Sequence, residues 1–301
     1  MKDSYRHISL AKLCRLLGVT RQAYYQHFWA ASDTTTQEEL VLKEVQQLRK
    51  LHPALGGRKL YHLLQPFFME HQIKMGRDGL FDLLACNGLL VRRRRRCVKT
   101  TQSRHWLKKY PNLTRQWKPK APQQLWVADI TYVPIKDDFA YLSLITDAYS
   151  HKILGYQVAD NLSAIHTLDA LKMALKGNPT AQGVIHHSDR GIQYCSTTYV
   201  EMMKRHNLQI SMSEDGDPLE NAVAERINGI IKNEYLQYYP IISIKDLKQL
   251  MPVIIERYNC KRPHLSIQML TPDHVHTHKL LVNRSWTKKQ KLNIVNPIQD
   301  Q

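Results

Sequence analysis

Long apolar runs are absent from the 301-residue sequence. No stretch reaches the about eighteen apolar residues that a membrane-spanning helix requires, and the polar N-terminal residues lack the apolar core of a signal peptide. The five cysteines are odd in number and scattered, with no Cys-x-x-Cys motif, so neither a disulfide framework nor a zinc site is predicted. These absences predict free thiols in a reducing cytoplasm and no membrane span.

Acidic residues are scarce in the first two-fifths of the chain. Residues 1–120 contain 24 Lys and Arg against 8 Asp and Glu, a net charge of +16, whereas residues 121–301 contain 19 against 18, a net charge of +1. Nearly all of the chain's net charge of +17 therefore lies in the first part. Because Lys and Arg release counterions when they neutralise phosphates, this asymmetry predicts a nucleic-acid-binding arm joined to a nearly neutral body.

A first helix-turn-helix pattern is predicted within residues 8–28. Leucines at helical spacing are followed by Gly18 as a turn and by Thr20 as the cap of a second helix. The alternative is an ordinary helical hairpin that does not read DNA. Thr34 to Thr36 are predicted to begin a separate helix over about residues 37–51, so residues 1–33 form one predicted segment.

A second helix-turn-helix candidate lies in the predicted region 34–97. A short helix containing Leu60 is followed by a helix that begins near Gly76 and ends at Asn87-Gly88. Five consecutive arginines, Arg92 to Arg96, follow directly. Such a run is usually a solvated face, but directly behind a candidate recognition helix it predicts a clamp on the DNA backbone.

Residues 98–122 are predicted to be a basic, proline-containing linker. Trp106 and Trp117 are interleaved with its basic residues. Their side chains either stack on bases or pack onto a neighbouring domain.

From residue 123 the pattern becomes that of an α/β domain, predicted to extend to residue 277 and to be followed by a basic tail, 278–301. Three strands with short turns predict an antiparallel meander, at 125–135, 140–146 and 152–158. Helices and strands then alternate, with helices at 163–175, 196–206, 219–236 and 244–258 and strands at 183–187 and 208–212. This order predicts a sheet covered by helices on both faces.

Three carboxylates stand on different elements of this domain. Asp129 lies in the first strand, Asp189 just past the end of the strand 183–187, and Glu225 on a helix. Acids on a strand, a strand end and a helix can converge on one point, and carboxylate oxygens are the ligands that Mg²⁺ prefers. Asp147 ends a strand and is an ambiguous fourth candidate. His186 and His187 either pack within the sheet or ligate the metal.

The helix that carries Glu225 has a polar face. Asn221, Glu225, Asn228 and Lys232 are spaced by 4, 3 and 4 residues. At 1.5 Å per residue, Lys232 is predicted to lie about 10 Å along the helix axis from Glu225, where its ammonium would contact a phosphate. The alternative is a surface helix with incidental polar residues.

Four motifs together resemble the DDE transposases of the insertion-sequence-three family, whose catalytic core is similar to that of retroviral integrases. The motifs are Trp126-x-x-Asp129-Ile130-Thr131-Tyr132, His187-Ser188-Asp189-Arg190-Gly191-x-Gln193-Tyr194, Asn221-Ala222-x-Ala224-Glu225 with Lys232, and Tyr258-Asn259-x-x-Arg262-Pro263-His264. The resemblance covers about residues 8–275. Two departures are Glu220, where the family often has aspartate, and the absence of the His/Cys zinc module of retroviral integrases.

The resemblance implies a ribonuclease-H-like integrase core with a mixed five-stranded sheet and flanking helices, preceded by an all-helical helix-turn-helix DNA-binding region. It implies that Asp129, Asp189 and Glu225 are catalytic and hold two Mg²⁺ ions, with Mn²⁺ as a substitute. The expected reactions are cleavage at the 3′ end of the element and strand transfer into target DNA. The predicted DNA contacts are Lys232, Asn221, Arg190, Gln193, Tyr194, Arg92, Arg93, Arg94, Arg95, Arg96, Arg77, Arg58 and Lys59.

The expected partners are the terminal inverted repeats and target DNA, further copies of the chain on that DNA, and an upstream-reading-frame helix-turn-helix protein or a fusion with it. A bacterial cytoplasmic location, on the nucleoid when DNA is bound, is expected. Two alternatives remain open. One is a sequence-specific regulator with a nuclease-like core, against which the intact carboxylate set argues; the other is a ribonuclease-H or resolvase-type nuclease without joining activity, against which the basic arm argues.

Overall fold

The computed structural model describes residues 9–91, 106–115, 117–136, 138–214 and 221–282, with the backbone alone for 26–35. Arg92 to Arg96, Cys97 and most of the predicted tail lie outside the described residues. The chain divides into two compact units, one of Met1–Leu51 and Leu55–Arg92, the other of His52–Ala54 and Arg93–Gln301. No described helix is long and apolar enough to cross a membrane. The cysteines at 14, 86, 195 and 260 are free thiols, as predicted.

The described part of the first unit consists of four helices: α1 (Leu10–Leu16), α2 (Arg21–Leu51), α3 (Gly57–Glu70) and α4 (Arg77–Cys86). The Ser9 hydroxyl accepts a hydrogen bond from the Lys12 amide at the start of α1. The predicted cap of the second helix is confirmed, since the Ala23 amide donates to Thr20 Oγ1 over 3.0 Å.

The predicted helix break at Thr34 to Thr36 is wrong. Helix α2 continues without interruption from Arg21 to Leu51, so the predicted boundary at residue 33 falls inside a helix. The physical reason is that threonines permit a cap but do not require one, whereas no glycine or proline occurs within α2 to break it.

Helices α2, α3 and α4 share one apolar core. Their fully buried side chains recur at helical spacing, namely Val41, Val45, Leu60, Leu64, Leu80 and Leu84. Gly57 permits the close approach of α3 and α4, because a Cβ there would lie 2.7 Å from the Phe81 ring. The helices of the second helix-turn-helix candidate therefore form, and their role in reading DNA stays a prediction.

The second unit is built on a mixed five-stranded sheet in the order β3-β2-β1-β4-β5. The strands are β1 (Leu125–Pro134), β2 (Phe139–Asp147), β3 (Ile153–Ala159), β4 (Ile185–Ser188) and β5 (Gln209–Met212). Strands β1 to β3 form the predicted antiparallel meander, and β4 and β5 run parallel to β1.

Helices cover both faces of this sheet, as predicted. Apolar side chains from α5 (Ala164–Gly177), α6 (Ile192–Cys195) and α7 (Thr197–Arg205) pack on one face against Trp126 and Ala128. Side chains from α8 (Ala222–Ile230) and α9 (Ile244–Glu256) pack on the other face. The last helix among the described residues is α10 (Pro272–Thr277). Because strand side chains alternate, the odd-numbered residues of β1 face α8.

The predicted helices 219–236 and 244–258 are not regular throughout. After α8 the backbone continues as a π-helical segment, Ile231–Tyr235, and a short 3₁₀ turn, Leu236–Tyr238. After α9 a second π-helical segment follows, Arg257–Lys261. The hydrophobic periodicity of the sequence is the same for these segments as for an α-helix, so it did not distinguish them.

Part of the predicted linker belongs to the second unit. The Met212 amide donates to the Pro111 carbonyl over 3.3 Å, and the Leu113 amide donates to Ser211 Oγ over 2.9 Å. Residues near 111, within the predicted linker 98–122, therefore lie along the edge of β5. Trp106 is 91% exposed and does not pack on another described segment.

Candidate active site

Asp129 lies on central strand β1, on the face that α8 covers. Its Oδ1 accepts a hydrogen bond from the Ile130 amide over 2.9 Å, and its Oδ2 accepts one from Asn228 Nδ2 over 2.8 Å. The residue remains half-buried rather than fully enclosed. Two donors therefore orient the carboxylate from opposite sides while part of the residue stays accessible.

Asp189 directly follows β4, the parallel neighbour of β1. Val127 pairs with His187 across these strands, so Asp129 and Asp189 each lie two residues beyond a paired position. Asp189 Oδ1 accepts a hydrogen bond from the Gly191 amide over 3.0 Å. A Cβ at Gly191 would lie 2.9 Å from that same oxygen, so any larger residue would force the Asp189 carboxylate to shift.

Glu225 lies in the first turn of α8 and is exposed. The helix is held against β1 by Asn221 Nδ2, which donates to the Ala128 carbonyl over 3.1 Å, and by packing of Ala224 near Val127. The hydrogen bond from Asn228 to Asp129 adds a third attachment. Each turn of α8 near Glu225 is therefore fixed to the strand that carries Asp129.

The negative charges of Asp189 and Glu225 act on Asp129. Burial, with the negative charge of Asp189 and then that of Glu225, raises the pKa of Asp129 to about 7, although the hydrogen bonds from Asn228 and the Ile130 amide oppose the rise. Negative charges that raise the pKa of a neighbouring carboxyl group favour the binding of a cation beside it.

The donor set fits a hard divalent cation because it consists of carboxylate oxygens. In the described part of the chain, no three His, Cys, Asp or Glu side chains are grouped closely enough to hold a metal ion together. Asp129 on the central strand, Asp189 after β4 and Glu225 on α8 therefore do not form a closed coordination sphere in this structure.

Two predicted DNA contacts are corrected by their burial. Tyr194 packs in the apolar core, with its ring 5.5 Å from that of Tyr199. Asn221 is buried and donates to the Ala128 carbonyl, as described above. Both side chains make their contacts inside the protein. The spacing of residues in the motifs did not reveal which of their polar side chains face inward.

The other predicted contacts lie closer to the surface. Arg190 and Gln193 are half-buried beside Asp189, and Gln193 Nε2 donates to the Leu162 carbonyl over 3.0 Å. Lys232 is half-buried in the π-helical segment after α8. In the first unit, Arg58 and Arg77 are exposed, Lys59 is half-buried, and Arg77 Nε lies 2.8 Å from Asp78 Oδ1.

The histidines and the fourth acid are structural. His186 Nε2 lies 2.9 Å from the Tyr199 hydroxyl, and burial lowers the pKa of His186 to about 3. His187 Nδ1 lies 2.8 Å from Ser211 Oγ. Asp147 is fully buried and accepts hydrogen bonds from the amides of Gln123, Tyr149 and Ser150, so the ambiguity about this residue is resolved.

Sequence reasoning assigned Asn228 to a polar face but missed its partner. Its spacing of three residues from Glu225 was visible, whereas its contact with Asp129 spans 99 positions of the chain. Only the packing of α8 on β1 brings the two together.

Comparison with known proteins identifies the family. A sequence model described as an integrase core domain matches residues 119–218, and a second integrase core domain model matches residues 206–272. The insertion element IS600 uncharacterized 31 kDa protein of Shigella sonnei is 34% identical over 266 residues, which cover 86% of this chain and 96% of the relative. Transposase InsF for insertion sequence IS3fB of Escherichia coli K12 is 33% identical over 278 residues, which cover 90% and 95%. The chain belongs to the IS3 family of insertion-sequence transposases.

A third relative of the transposase is the transposase for insertion sequence element IS629 of Shigella sonnei, 33% identical over 227 residues that cover 73% of this chain and 75% of the relative. Among solved structures, the HTLV-2 integrase catalytic core domain in complex with magnesium has 20% identity and a TM-score of 0.41 over 52% of this chain and 97% of that chain.

The transposase therefore has the predicted ribonuclease-H-like integrase core and is a DDE-type polynucleotidyl transferase acting on DNA. The relatives named as transposases argue against the two alternatives, a regulator and a nuclease without joining activity.

Proposed function

We propose that Asp129, Asp189 and Glu225 are the catalytic carboxylates of this transposase and hold two Mg²⁺ ions, which Mn²⁺ can replace. The observation that carries the proposal is the placement of the three acids: Asp189 follows the parallel neighbour of the strand that carries Asp129, and Glu225 lies on the helix that Asn221 and Asn228 attach to that strand. Burial, together with the charges of Asp189 and Glu225, raises the pKa of Asp129 to about 7. Oxygen ligands of this kind suit Mg²⁺. Bound divalent cations would supply Lewis-acid stabilisation of the phosphodiester and a lowered pKa for the attacking water.

The residues of the chain prepare the site. Asn228 and the Ile130 amide hold the Asp129 carboxylate in one orientation, and the Gly191 amide holds that of Asp189. The exposed first turn of α8 presents Glu225 where DNA approaches. The reaction is hydrolysis at the element end, which frees a 3′-hydroxyl, followed by attack of that hydroxyl on a phosphodiester of target DNA.

The basic N-terminal part is the proposed arm that binds the terminal inverted repeats. It comprises residues 1–97, with Arg58, Lys59 and Arg77 near the starts of α3 and α4 and with Arg92 to Arg96 as backbone contacts. The core, 123–277, carries out the chemistry, with Lys232, Arg190 and Gln193 beside the reacting DNA. Further copies of the chain assemble on the paired ends in the bacterial cytoplasm, with an upstream-frame helix-turn-helix protein or a fusion with it.

The test replaces each carboxylate by its amide. Asp129→Asn, Asp189→Asn and Glu225→Gln are each expected to reduce Mg²⁺-dependent nicking of end-containing DNA by at least about a thousandfold, because an amide oxygen is a poor ligand for a hard cation. DNA binding, measured by gel shift, should change less than about twofold.

The matched control is Asp169→Asn, a half-buried acid on α5 that pairs with the exposed Lys172. It should retain nicking and binding. Wild-type nicking in any of the three amide variants would remove that residue from the proposed set.

A further inference from the structure

Arg262, which lies directly after the second π-helical segment, has a guanidinium enclosed in the core unit. The residue is 1% exposed. Its Nε donates to Glu234 Oε2 over 2.9 Å and its Nη2 donates to Glu234 Oε1 over 2.8 Å, so the carboxylate is held by both arms of the fork. A third donor, Nη1, lies 2.8 Å from His264 Nε2. Because arginine has no acceptor, that nitrogen accepts and the imidazole proton lies on Nδ1.

The Arg262–Glu234 pair is better suited to fixing the relative positions of the two segments that it joins than to increasing the stability of the fold. Apolar residues of similar volume usually replace a buried ion pair without loss of stability. The planar guanidinium instead fixes the direction and distance of the group that it binds. The position of Glu234 shows which part of the protein the pair holds in place.

Glu234 lies in the π-helical segment Ile231–Tyr235, which continues directly from α8. Helix α8 carries Glu225 and Asn228, the donor to Asp129. π-Helical turns within longer helices occur frequently at functional sites, where they alter the phase of the side chains on either side. Arg262 thus holds the far end of the helix whose first turn carries a proposed catalytic acid.

The side of the chain that carries Arg262 is itself attached to the sheet. Asn259 accepts a hydrogen bond from the Ile153 amide and donates one to the Ile153 carbonyl, both over 2.9 Å. The Tyr258 hydroxyl donates to the His151 carbonyl over 3.1 Å. The Arg262–Glu234 pair therefore joins the end of α8 to the start of β3 through short, directional contacts.

We propose that Arg262 is a positioning residue for transposition, which sets the placement of α8 through Glu234 and thereby the position of Glu225 and Asn228 relative to Asp129. The inference rests on the proposed function in taking Glu225 as a metal-binding carboxylate. Loosening the pair shifts the acid relative to Asp129, so the site needs a higher Mg²⁺ concentration although the fold and the DNA-binding arm remain.

The experiment uses the full chain with Arg262→Lys, Glu234→Gln and the double variant. Lysine keeps the charge but loses the fork. The matched control is Lys261→Gln, one residue earlier in the chain, whose ammonium lies 3.3 Å from Glu256 in an exposed pair. Measured quantities are the Mg²⁺ concentration for half-maximal nicking, DNA affinity, and hydrogen exchange of the amides of α8 and the π-helical segment in metal-free protein.

The expected result for Arg262→Lys is an Mg²⁺ midpoint raised about fivefold or more, with unchanged DNA affinity. Amides of residues 226–235 should exchange at least about tenfold faster while those of β1 to β3 stay protected. The double variant should have an Mg²⁺ midpoint and exchange rates no higher than those of the more affected single variant, because both substitutions remove the same interaction. Lys261→Gln should match the wild type.

A loss of nicking amplitude that follows the unfolded fraction, with an unchanged Mg²⁺ midpoint and unchanged exchange in α8, would make Arg262 a structural residue only and overturn the inference. If Arg262→Lys does not fold, Glu234→Gln and the apolar pair Arg262→Met/Glu234→Leu decide between the same outcomes. Full nicking by Glu225→Gln would instead refute the proposed function, whereas the exchange data would still decide whether the pair holds α8.

Discussion

Two carboxylates of the same sheet, Asp129 on β1 and Asp147 at the end of β2, differ in what surrounds them. Asp147 is fully buried and accepts hydrogen bonds from three backbone amides and from the Ser150 hydroxyl. Asp129 is half-buried, has two donors, and lies near two further negative charges, Asp189 and Glu225. The protein surrounds Asp147 with internal hydrogen-bond donors, whereas Asp129 has fewer donors and lies in a region with an excess of negative charge. That excess is what distinguishes a candidate cation site from a structural acid on the same sheet.

Removal of the Asp147 carboxylate is expected to have the largest effect on the free energy of unfolding. Asp147→Ala is expected to lower the free energy of unfolding by about 3–5 kcal/mol, because four donors lose their acceptor in a buried region and each unsatisfied donor costs about 1–3 kcal/mol before relaxation. Asp129→Asn should not lower it; near pH 7 in metal-free protein it should raise it by about 1–2 kcal/mol, because the uncharged amide avoids the cost of ionising this carboxyl group in the fold. Urea denaturation of both variants measures the free energy of unfolding. An equal loss of free energy in the two variants would show that Asp147 and Asp129 contribute alike to stability.

The difference between Asp129 and Asp147 could be predicted from the sequence only where it depends on residues close together in the chain. Asp129, Asp189 and Glu225 were identified from motifs, and the meander that carries Asp129 followed from local alternation and turns. The partners of Asp147 could not be read from alternation, because its network includes His276, 129 positions further along the chain, whose ring Nδ1 lies 3.0 Å from Ser150 Oγ. A strand-end aspartate has the same local pattern whether it binds metal or closes a turn.

The same limit explains the errors. Tyr194 and Asn221 lie in motifs with the site acids, yet one packs among aromatic rings and the other binds a strand carbonyl. Motif spacing indicates which residues occur together, whereas the direction of each side chain is set by packing between elements. The continuous α2 is the converse case, in which a local cap signal was given too much weight.

The contrast is sharpened by removing one of the two donors of Asp129. Asn228→Ala is expected to reduce Mg²⁺-dependent nicking by about 10–100-fold, which is the range for residues that orient a metal ligand. DNA affinity should be retained. Asn233→Ala, at an exposed position of the following π-helical segment, is the matched control. Nicking by Asn228→Ala at the wild-type rate would show that the hydrogen bond does not orient Asp129.

Burial of Asp129, with the charges of Asp189 and Glu225, makes the stability of the metal-free protein depend on pH, and the Asn228 hydrogen bond opposes this effect. The folded-state pKa of Asp129 is about 7, above the usual value of about 3.9. Below pH about 4 both states are protonated and the acid costs nothing; between about 4 and 7 only the unfolded state loses its proton, so stability falls as pH rises. With allowance for solvent screening of this half-buried group the loss is about 1–2 kcal/mol.

Chemical denaturation in EDTA at a series of pH values measures this loss. Asn228→Ala should extend the fall to higher pH, because the Asn228 hydrogen bond lowers the pKa of Asp129. Asp129→Asn should remove that part of the slope. An unchanged slope in Asp129→Asn would assign the pH dependence to other groups.

The smallest expected effect concerns Lys232, the positive charge nearest in sequence to the end of α8. It lies in the π-helical segment, is half-buried, and follows Glu225 by seven positions. A charge about 10 Å along the axis is too distant to serve as part of the carboxylate set but within reach of a phosphate beside the cleaved bond.

Lys232→Ala is therefore expected to reduce joining of specific ends by about fivefold while Mn²⁺-supported nonspecific nicking changes less than twofold, since an exposed or partly exposed charge contact contributes about 1 kcal/mol. Lys232→Arg should keep part of the joining activity, because it retains the charge. Lys248→Ala on α9, an exposed lysine, is the control, and equal retention of both activities in Lys232→Ala would leave Lys232 without a role in placing the DNA end.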